Sequence, residues 1–340
     1  MAIVIGCDLH ARFQQLAVLD TASGEIVPHR LEHDGEQVRE FYRRFPPPVQ
    51  VGVEATTGVY WLQELLHGLG HELVVGDAAR LRAMVVRRQK TDARDAEHLA
   101  LVLAQGRFPR VWLPGPELRD LRQLLLHRHR LVRMRTQLRN GLHALARNHG
   151  PNPRRRRFTQ AARAHLAALP LGEFAQLRRE ESIALHDDLD SRITALDGRL
   201  QQQLEVSEQA RRLATHPGVG PVTALAWTSI IGDISRFGSS AQLCSYLGLI
   251  PSERSTGGKQ RLGSISKQGN SFLRFLLVEA AQTAVRGDDQ LGRVYRRLAA
   301  RRDRPTAKVA IARRLAVRLY WMSRRNVAYS DLREEQAHAD

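Results

Sequence analysis

Cysteine is almost missing from this chain: Cys7 and Cys244 are the only two in 340 residues. They stand far apart with no CxxC or Cys/His spacing, which excludes a disulfide framework and a zinc site and suits a reducing cytoplasm. Long apolar runs are missing too. No uncharged stretch reaches the ~18 residues of a membrane span and no signal peptide opens the chain, so a cytoplasmic, nucleoid-associated protein away from the membrane is expected. Acid is in short supply: 35 Asp+Glu face 52 Lys+Arg, a formal net charge of +17, and the bases are overwhelmingly arginine. Guanidinium forks match phosphate oxygens, so the excess favours a polyanionic partner. With 43% hydrophobic residues the chain has material for two or three folded domains.

The acids that remain fall in a pattern. Asp92 and Asp95 sit three residues apart in the helix-favouring run Gln89-Lys90-Thr91-Asp92-Ala93-Arg94-Asp95-Ala96-Glu97-His98, so both carboxylates project from one face. Two like charges there need a cation or basic groups to offset them, and with Arg94 pointing elsewhere a divalent metal fits; a solvated helix face is the other reading. Upstream, the apolar run 2–7 ends in Asp8, strand-like runs follow near 15–19 and 25–31, and a helix near 34–45 precedes Pro46-Pro47-Pro48. Val49 to Val53 reads as another strand and ends in Glu54, so Asp8 and Glu54 occupy equivalent strand ends. With helix 58–69, strand 71–76 and the helix of Asp92 and Asp95, the order is βββαβαβα, that of a ribonuclease H-like sheet. In such a sheet two neighbouring strand ends and a following helix converge on one or two Mg²⁺ ions through oxygen ligands.

Proline is missing from 117–147 and from 173–212, which predicts two long helices. Leu124, Leu131, Leu138 and Leu145 recur every seven residues in the first; Leu189, Ile193, Leu196 and Leu200 alternate four and three in the second. Both periods suit a coiled coil, although His127 and Gly141 at would-be seam positions keep an ordinary bundle open. From Arg119 to Arg163 there are thirteen Arg and one acid, Asp120, and the turn holds Arg154, Arg155, Arg156 and Arg157. A run so lopsided is expected to bind phosphates.

Further on, His216-Pro217-Gly218-Val219-Gly220-Pro221 resembles a helix-hairpin-helix. There Gly218 and Gly220 permit a tight turn and the next helix start offers N–H groups to a phosphate; a Gly-Pro turn between two core helices is the other reading. Ser252 to Arg261 is expected to be a loop. Its Gly257-Gly258-Lys259 is not a Walker loop, since Gln260 follows the lysine. Ser255 or Thr256 lies there among Arg254, Lys259 and Arg261, a setting able to hold a phosphodiester and stabilise an attacking oxygen. A helix follows from about 271 to 285, then terminal helices from about 289 to 324, with twelve Lys+Arg between Arg293 and Arg325 against one acid, Asp303. Glu334 to Asp340 reads as a frayed acidic tail. The expected organisation is an α/β ribonuclease H-like domain over 1–112, an arginine-rich helical hairpin over 113–210, an all-α C-terminal domain over 211–325 and a tail over 326–340.

Gly6-Cys7-Asp8-Leu9-His10, Val53-Glu54-Ala55-Thr56-Thr57-Gly58, Lys90-Thr91-Asp92-Ala93-Arg94-Asp95-Ala96, Pro217-Gly218-Val219-Gly220, Gly232-Asp233-Ile234-Ser235-Arg236-Phe237 and Ser255-Thr256-Gly257-Gly258-Lys259 occur in this order. On these motifs the chain, from residue 1 to about 325, resembles the DEDD transposases of the IS110 family, its second half most like the IS1111 branch. The resemblance implies a RuvC-like domain with a mixed sheet and a four-acid metal site, a helical hairpin, and a C-terminal domain whose serine links covalently to DNA. It also implies a structured guide RNA from the element, pairing with donor and target DNA. Carried over by residue, it makes Asp8, Glu54, Asp92 and Asp95 the Mg²⁺ ligands and Ser255 the nucleophile, with Thr256 the neighbouring alternative. A homo-oligomer, dimer or tetramer, is expected.

Three other readings compete. Actin-like kinases share a β-meander with a strand-end Asp but need a second glycine-rich phosphate loop in a duplicated domain, and no duplication is visible. A metal-dependent junction-resolving nuclease would use the acids alone and leave the arginine-rich hairpin and the serine loop unexplained. A binding-only protein with a decayed site conflicts with the presence of all four acids.

Overall fold

A short apolar run buried on both faces makes strand β1 (Ile3–Leu9), and near-alternation makes β2 (Phe13–Asp20); the two pair antiparallel from Ile3↔Asp20 to Leu9↔Gln14. The structure, a computed structural model, describes residues 3–85, 91–149, 158–253 and 261–337. β3 (Ile26–Glu32) adds antiparallel to β2; β4 (Gln50–Glu54) runs parallel to β1, and β5 (Glu72–Gly76) parallel to β4. The result is a mixed sheet of order β3-β2-β1-β4-β5. Between and after the strands come α1 (Gln37–Arg43), α2 (Val59–Gly68), α3 (Ala78–Ala83) and α4 (Asp92–Ala104). The arrangement is compatible with a ribonuclease H-like fold. Among the described residues of this part, only the short α3, capped by the Asp77 carboxylate on the Arg80 N–H, is additional to the order expected from the sequence.

Period-two alternation gives the sheet two buried faces. Ile5, Cys7 and Leu9 pack with Phe41 and Tyr42 of α1 and with Leu62 and Leu66 of α2. Val4 joins Ala96, Leu99, Ala100 and Leu103 of α4, and Phe108 beyond it, on the other face. Cys7 and Cys244 are both free and buried.

The chain divides into two compact units, Met1–Leu113 and Pro114–Asp340. In the second, α5 (Pro116–Asn148), α6 (Gln160–Ala167) and α7 (Glu173–Val206) are followed by α8 (Glu208–Ala214). The long helix does not continue to 212. It stops at Val206 because Ser207 adopts an extended conformation and its hydroxyl caps α8 on the Ala210 N–H. α5 and α7 lie side by side and antiparallel, with Leu131 packed on Leu189 and Ile193 and the ion pairs Arg128–Asp197 and Arg135–Asp190 along the seam. α6 closes one end through Leu166, which packs with Leu142 and Leu145.

α9 (Pro221–Ile231) is buried all round from Thr223 to Ile231 and forms the centre of a helical core with Leu125 and Leu200. α10 (Ser240–Tyr246) leads to β6 (Pro251–Glu253), which pairs antiparallel with β7 (Leu262–Ile265). β6 thus takes Ser252 and Glu253 from the start of the expected loop, and β7 begins just after its end. They are short and exposed on most positions, so no alternation marks them in the sequence. α11 (Ser271–Gly287), α12 (Asp289–Arg301) and α13 (Arg304–Arg325) complete the core. α14 (Tyr329–Ala337) lies within the expected tail of 326–340 and runs into the segment from Glu334 that was expected to fray; Tyr329 and Leu332 near its start are buried. Among the described residues no helix is long and apolar enough to cross a membrane.

One buried group makes this unit acid-sensitive. His216, 1% exposed, donates from Nδ1 to the Pro217 carbonyl at 2.8 Å and packs on the Tyr329 ring, while its Nε2 is buried without a protein partner. Burial, reinforced by the Arg318 charge, lowers its pKa from 6.5 to about 4. Between those values the unfolded chain takes up a proton that the folded chain refuses, so the contribution of His216 to stability should fall as pH drops from 6.5 to 4 and be fully lost below that. The loss should approach about 3 kcal/mol. A thermal-melt series from pH 7.5 to 4 should show a shallower fall for His216→Gln; equal slopes in the two proteins would rule this contribution out.

Candidate active site

The local sequence aims the acids at one place. Cys7 pairs with Val53, so Asp8 and Glu54 are the next residues on adjacent parallel strands, whose spacing is ~4.8 Å. Both lie on the face covered by α4, since Gly6 on β1 faces α4 and Gly52 on β4 faces Leu103 and Phe108. Thr91 caps α4 through its hydroxyl on the Arg94 N–H, which puts Asp92 and Asp95 in the first turn, where the helix dipole favours carboxylates.

α4 approaches β1 unusually closely. A Cβ on Gly6 would stand 1.9 Å from the Ala96 carbonyl oxygen and 2.5 Å from the Ala100 N, both backbone atoms. Gly6, Ala96 and Ala100 therefore let helix and strand meet backbone to backbone, and that closeness brings the first turn of α4 to Asp8. The sequence carried the signal as a strand glycine and two alanines four apart.

At the centre, His10 Nε2 is 3.1 Å from Asp8 Oδ2 and 3.6 Å from Asp92 Oδ2. One ligand atom from each of Asp8, His10 and Asp92 lies within 4.8 Å of the others. Burial raises the Asp8 pKa; His10 opposes that, and the like charges of Asp92 and Asp95 add to it. A carboxylate disfavoured by desolvation and by neighbouring carboxylates gains from a cation, so the donor set suits a divalent ion. Asp95 thus feels Asp8 electrostatically without joining the tight triad. Glu54 is turned toward Arg82, with Nη2 3.8 Å from Oε1, and also lies outside it. Spacing gives His10 no role in the Gly6–His10 motif; its place between Asp8 and Asp92 is visible only in the fold.

Ser255, Thr256, Arg254 and Lys259 lie outside the described residues, as do Arg154, Arg155, Arg156 and Arg157. Arg261 is exposed just before β7. Gly218 has φ +88°, and a Cβ there would meet the Ala280 carbonyl at 2.5 Å, so this glycine serves close packing of the turn on α11. Gly220 is the residue before α9, with Pro221 at its first turn. The arginine-rich stretch is partly spent inside the fold: Arg128, Arg135 and Arg163 pair with Asp197, Asp190 and Asp187, and Arg122 donates to the Ser229 and Ile230 carbonyls. Arg130 and Arg133 are exposed and, with His127, Met134 and Gln137, line a groove of about 620 Å³ along α5.

Comparison with known proteins agrees with the geometry. Residues 5–151 match a family model described as a transposase, of the DEDD type of IS110, and residues 210–296 match one described as the transposase IS116/IS110/IS902 family. A probable family 20 transposase of Pseudomonas aeruginosa is 30% identical over 96% of this chain and 98% of its own length. The transposase for insertion sequence element IS1328 of Yersinia enterocolitica is 31% identical over 84% and 86%. The transposase for IS1111A of Coxiella burnetii is 31% identical over 72% and 69%. These likenesses establish that the chain belongs to the IS110 family of DEDD transposases, insertion-sequence enzymes that act on DNA.

Proposed function

We propose that the protein cuts and rejoins donor and target DNA through a division of labour between Asp8, Glu54, Asp92 and Asp95, which hold Mg²⁺, and Ser255, which attacks the backbone phosphate. The observation that carries this reading is the convergence of Asp8 and Asp92 at the end of β1, where burial first, and then the charges of Asp92 and Asp95, raise the Asp8 pKa. A bound divalent ion supplies charge neutralisation for a scissile phosphate. The carboxylates would hold and orient it, with Glu54 leaving Arg82 to join them. In the covalent step the Ser255 Oγ–P bond forms as one backbone P–O bond breaks; the serine proton passes to solvent and the departing strand oxygen takes one up. The phosphodiester energy is kept for rejoining, which hydrolysis by water would lose.

Nucleic-acid backbones are proposed to bind at Arg154 to Arg157, at Arg254, Lys259 and Arg261, and at the turn of Gly218 and Gly220, where the N–H groups that open α9 form the phosphate contact of a helix-hairpin-helix. The antiparallel α5–α7 pair serves as a coiled-coil hairpin, and an element-encoded RNA sets the choice of target. The test is to purify the protein with its nucleic acid, sequence the RNA, and challenge it with element DNA in Mg²⁺ or EDTA. A single structured RNA from the element and cutting abolished by EDTA are expected. Random cellular RNA would remove the guide from this reading, and cutting in EDTA would remove the metal.

A further inference from the structure

We propose that His10 is a nitrogen ligand of the cation site formed by Asp8 and Asp92, and that it tilts the site toward Mn²⁺ over Mg²⁺. This rests on the reading of those acids as cation holders and goes beyond the four-carboxylate set. Octahedral donors at ~2.1 Å from an ion stand ~3 Å apart when adjacent and ~4.2 Å when opposite. The 3.1 Å from His10 Nε2 to Asp8 Oδ2 is already such an edge, and the 3.6 Å to Asp92 Oδ2 falls between the two values.

The ring is held in place for this. It stacks on Phe13 with centroids 4.4 Å apart and planes at 21°, and the Arg30 guanidinium lies 3.7 Å from the Phe13 centroid. Arg30 is in turn paired with Glu32 at 3.0 Å. The tight link from β1 to β2, closed by the His10 N–H donating to the Phe13 carbonyl at 2.9 Å, fixes the backbone from which the imidazole reaches the acids. Neutral imidazole is a softer donor than carboxylate. Mg²⁺ prefers oxygen throughout and keeps its waters, whereas Mn²⁺ tolerates a mixed nitrogen and oxygen set.

The test is pulsed EPR on the full chain loaded with one equivalent of Mn²⁺, together with Mn²⁺ and Mg²⁺ titrations. Wild type should show echo modulation from a coordinated ¹⁴N that changes to the ¹⁵N pattern when histidine is ¹⁵N-labelled. His10→Gln and His10→Ala, at a side chain 37% exposed, should keep the melting temperature, lose the modulation and bind Mn²⁺ about tenfold more weakly, with a smaller change for Mg²⁺. Phe13→Leu should reduce the modulation without removing it. Identical modulation in wild type and both His10 variants, with Asp8→Asn abolishing Mn²⁺ binding, would overturn the assignment of His10 and leave the carboxylate site standing. Mn²⁺ binding unaffected by Asp8→Asn would overturn the carboxylate site itself and the proposal with it.

Discussion

Ser255→Ala should abolish both the covalent protein–DNA adduct and recombination while leaving nucleic-acid binding within a factor of about two. A serine hydroxyl is a weak nucleophile at neutral pH, and nothing else on an alanine can form the bond. Asp8→Asn should reach the same end by another route. It keeps the shape of the side chain and removes the charge that would hold the cation, so adduct formation should fall by about 10³-fold or more although Ser255 is intact. The two variants separate the roles when Mn²⁺ binding is measured alongside: Ser255→Ala should bind the ion as wild type does, Asp8→Asn should not. An adduct persisting in Ser255→Ala and lost in Thr256→Ala would move the nucleophile one residue along. Should both variants recombine normally while Asp8→Asn is dead, a nuclease working through the acids alone would replace the serine mechanism.

Gly6→Ala should be nearly as damaging although it touches no reacting group. The added methyl would meet the Ala96 carbonyl at 1.9 Å and the Ala100 N at 2.5 Å, and backbone cannot swing aside as a side chain does. Relief requires α4 to move away from β1 by roughly 1.5 Å, toward an ordinary contact of ~3.4 Å. The stability cost should be about 3 kcal/mol, a fall of roughly 10 °C in melting temperature. Because α4 carries Asp92 and Asp95 in its first turn, the same movement should lower strand cleavage about 100-fold in the protein that remains folded. Gly141→Ala is the control. Gly141 lies in α5 with nothing within 4 Å of its built Cβ, so alanine there should be neutral or slightly stabilising. A Gly6→Ala protein that melts and cuts like wild type would show that α4 does not depend on this contact.

The chain by itself determined the parts governed by neighbours along it. Short apolar runs set β1, β2, β4 and β5, the absence of proline marked the long helices, and the position of Asp8 and Glu54 at strand ends followed from counting. The thirteen-to-one excess of arginine over acid was equally plain, and with the ordered acid motifs it was enough to indicate the family. What only the tertiary structure decided depends on partners distant in sequence. Arg128 and Arg135 find acids 69 and 55 residues away, so counting charges along the chain overstated how many arginines face outward. The end of α7 at Ser207 was missed because a helix stop made by one extended residue and a serine cap leaves no proline or glycine to read. Of the acids, Asp8 and Asp92 meet only because a strand without a side chain at Gly6 admits Ala96 and Ala100 of a helix ninety residues on, and His10 enters that meeting only because Phe13 and Arg30 stack behind its ring. Spacing fixes the direction of a side chain on its own element; which groups it reaches is decided when the elements pack, because reach depends on the distance between backbones and that distance is set by the smallest residues between them.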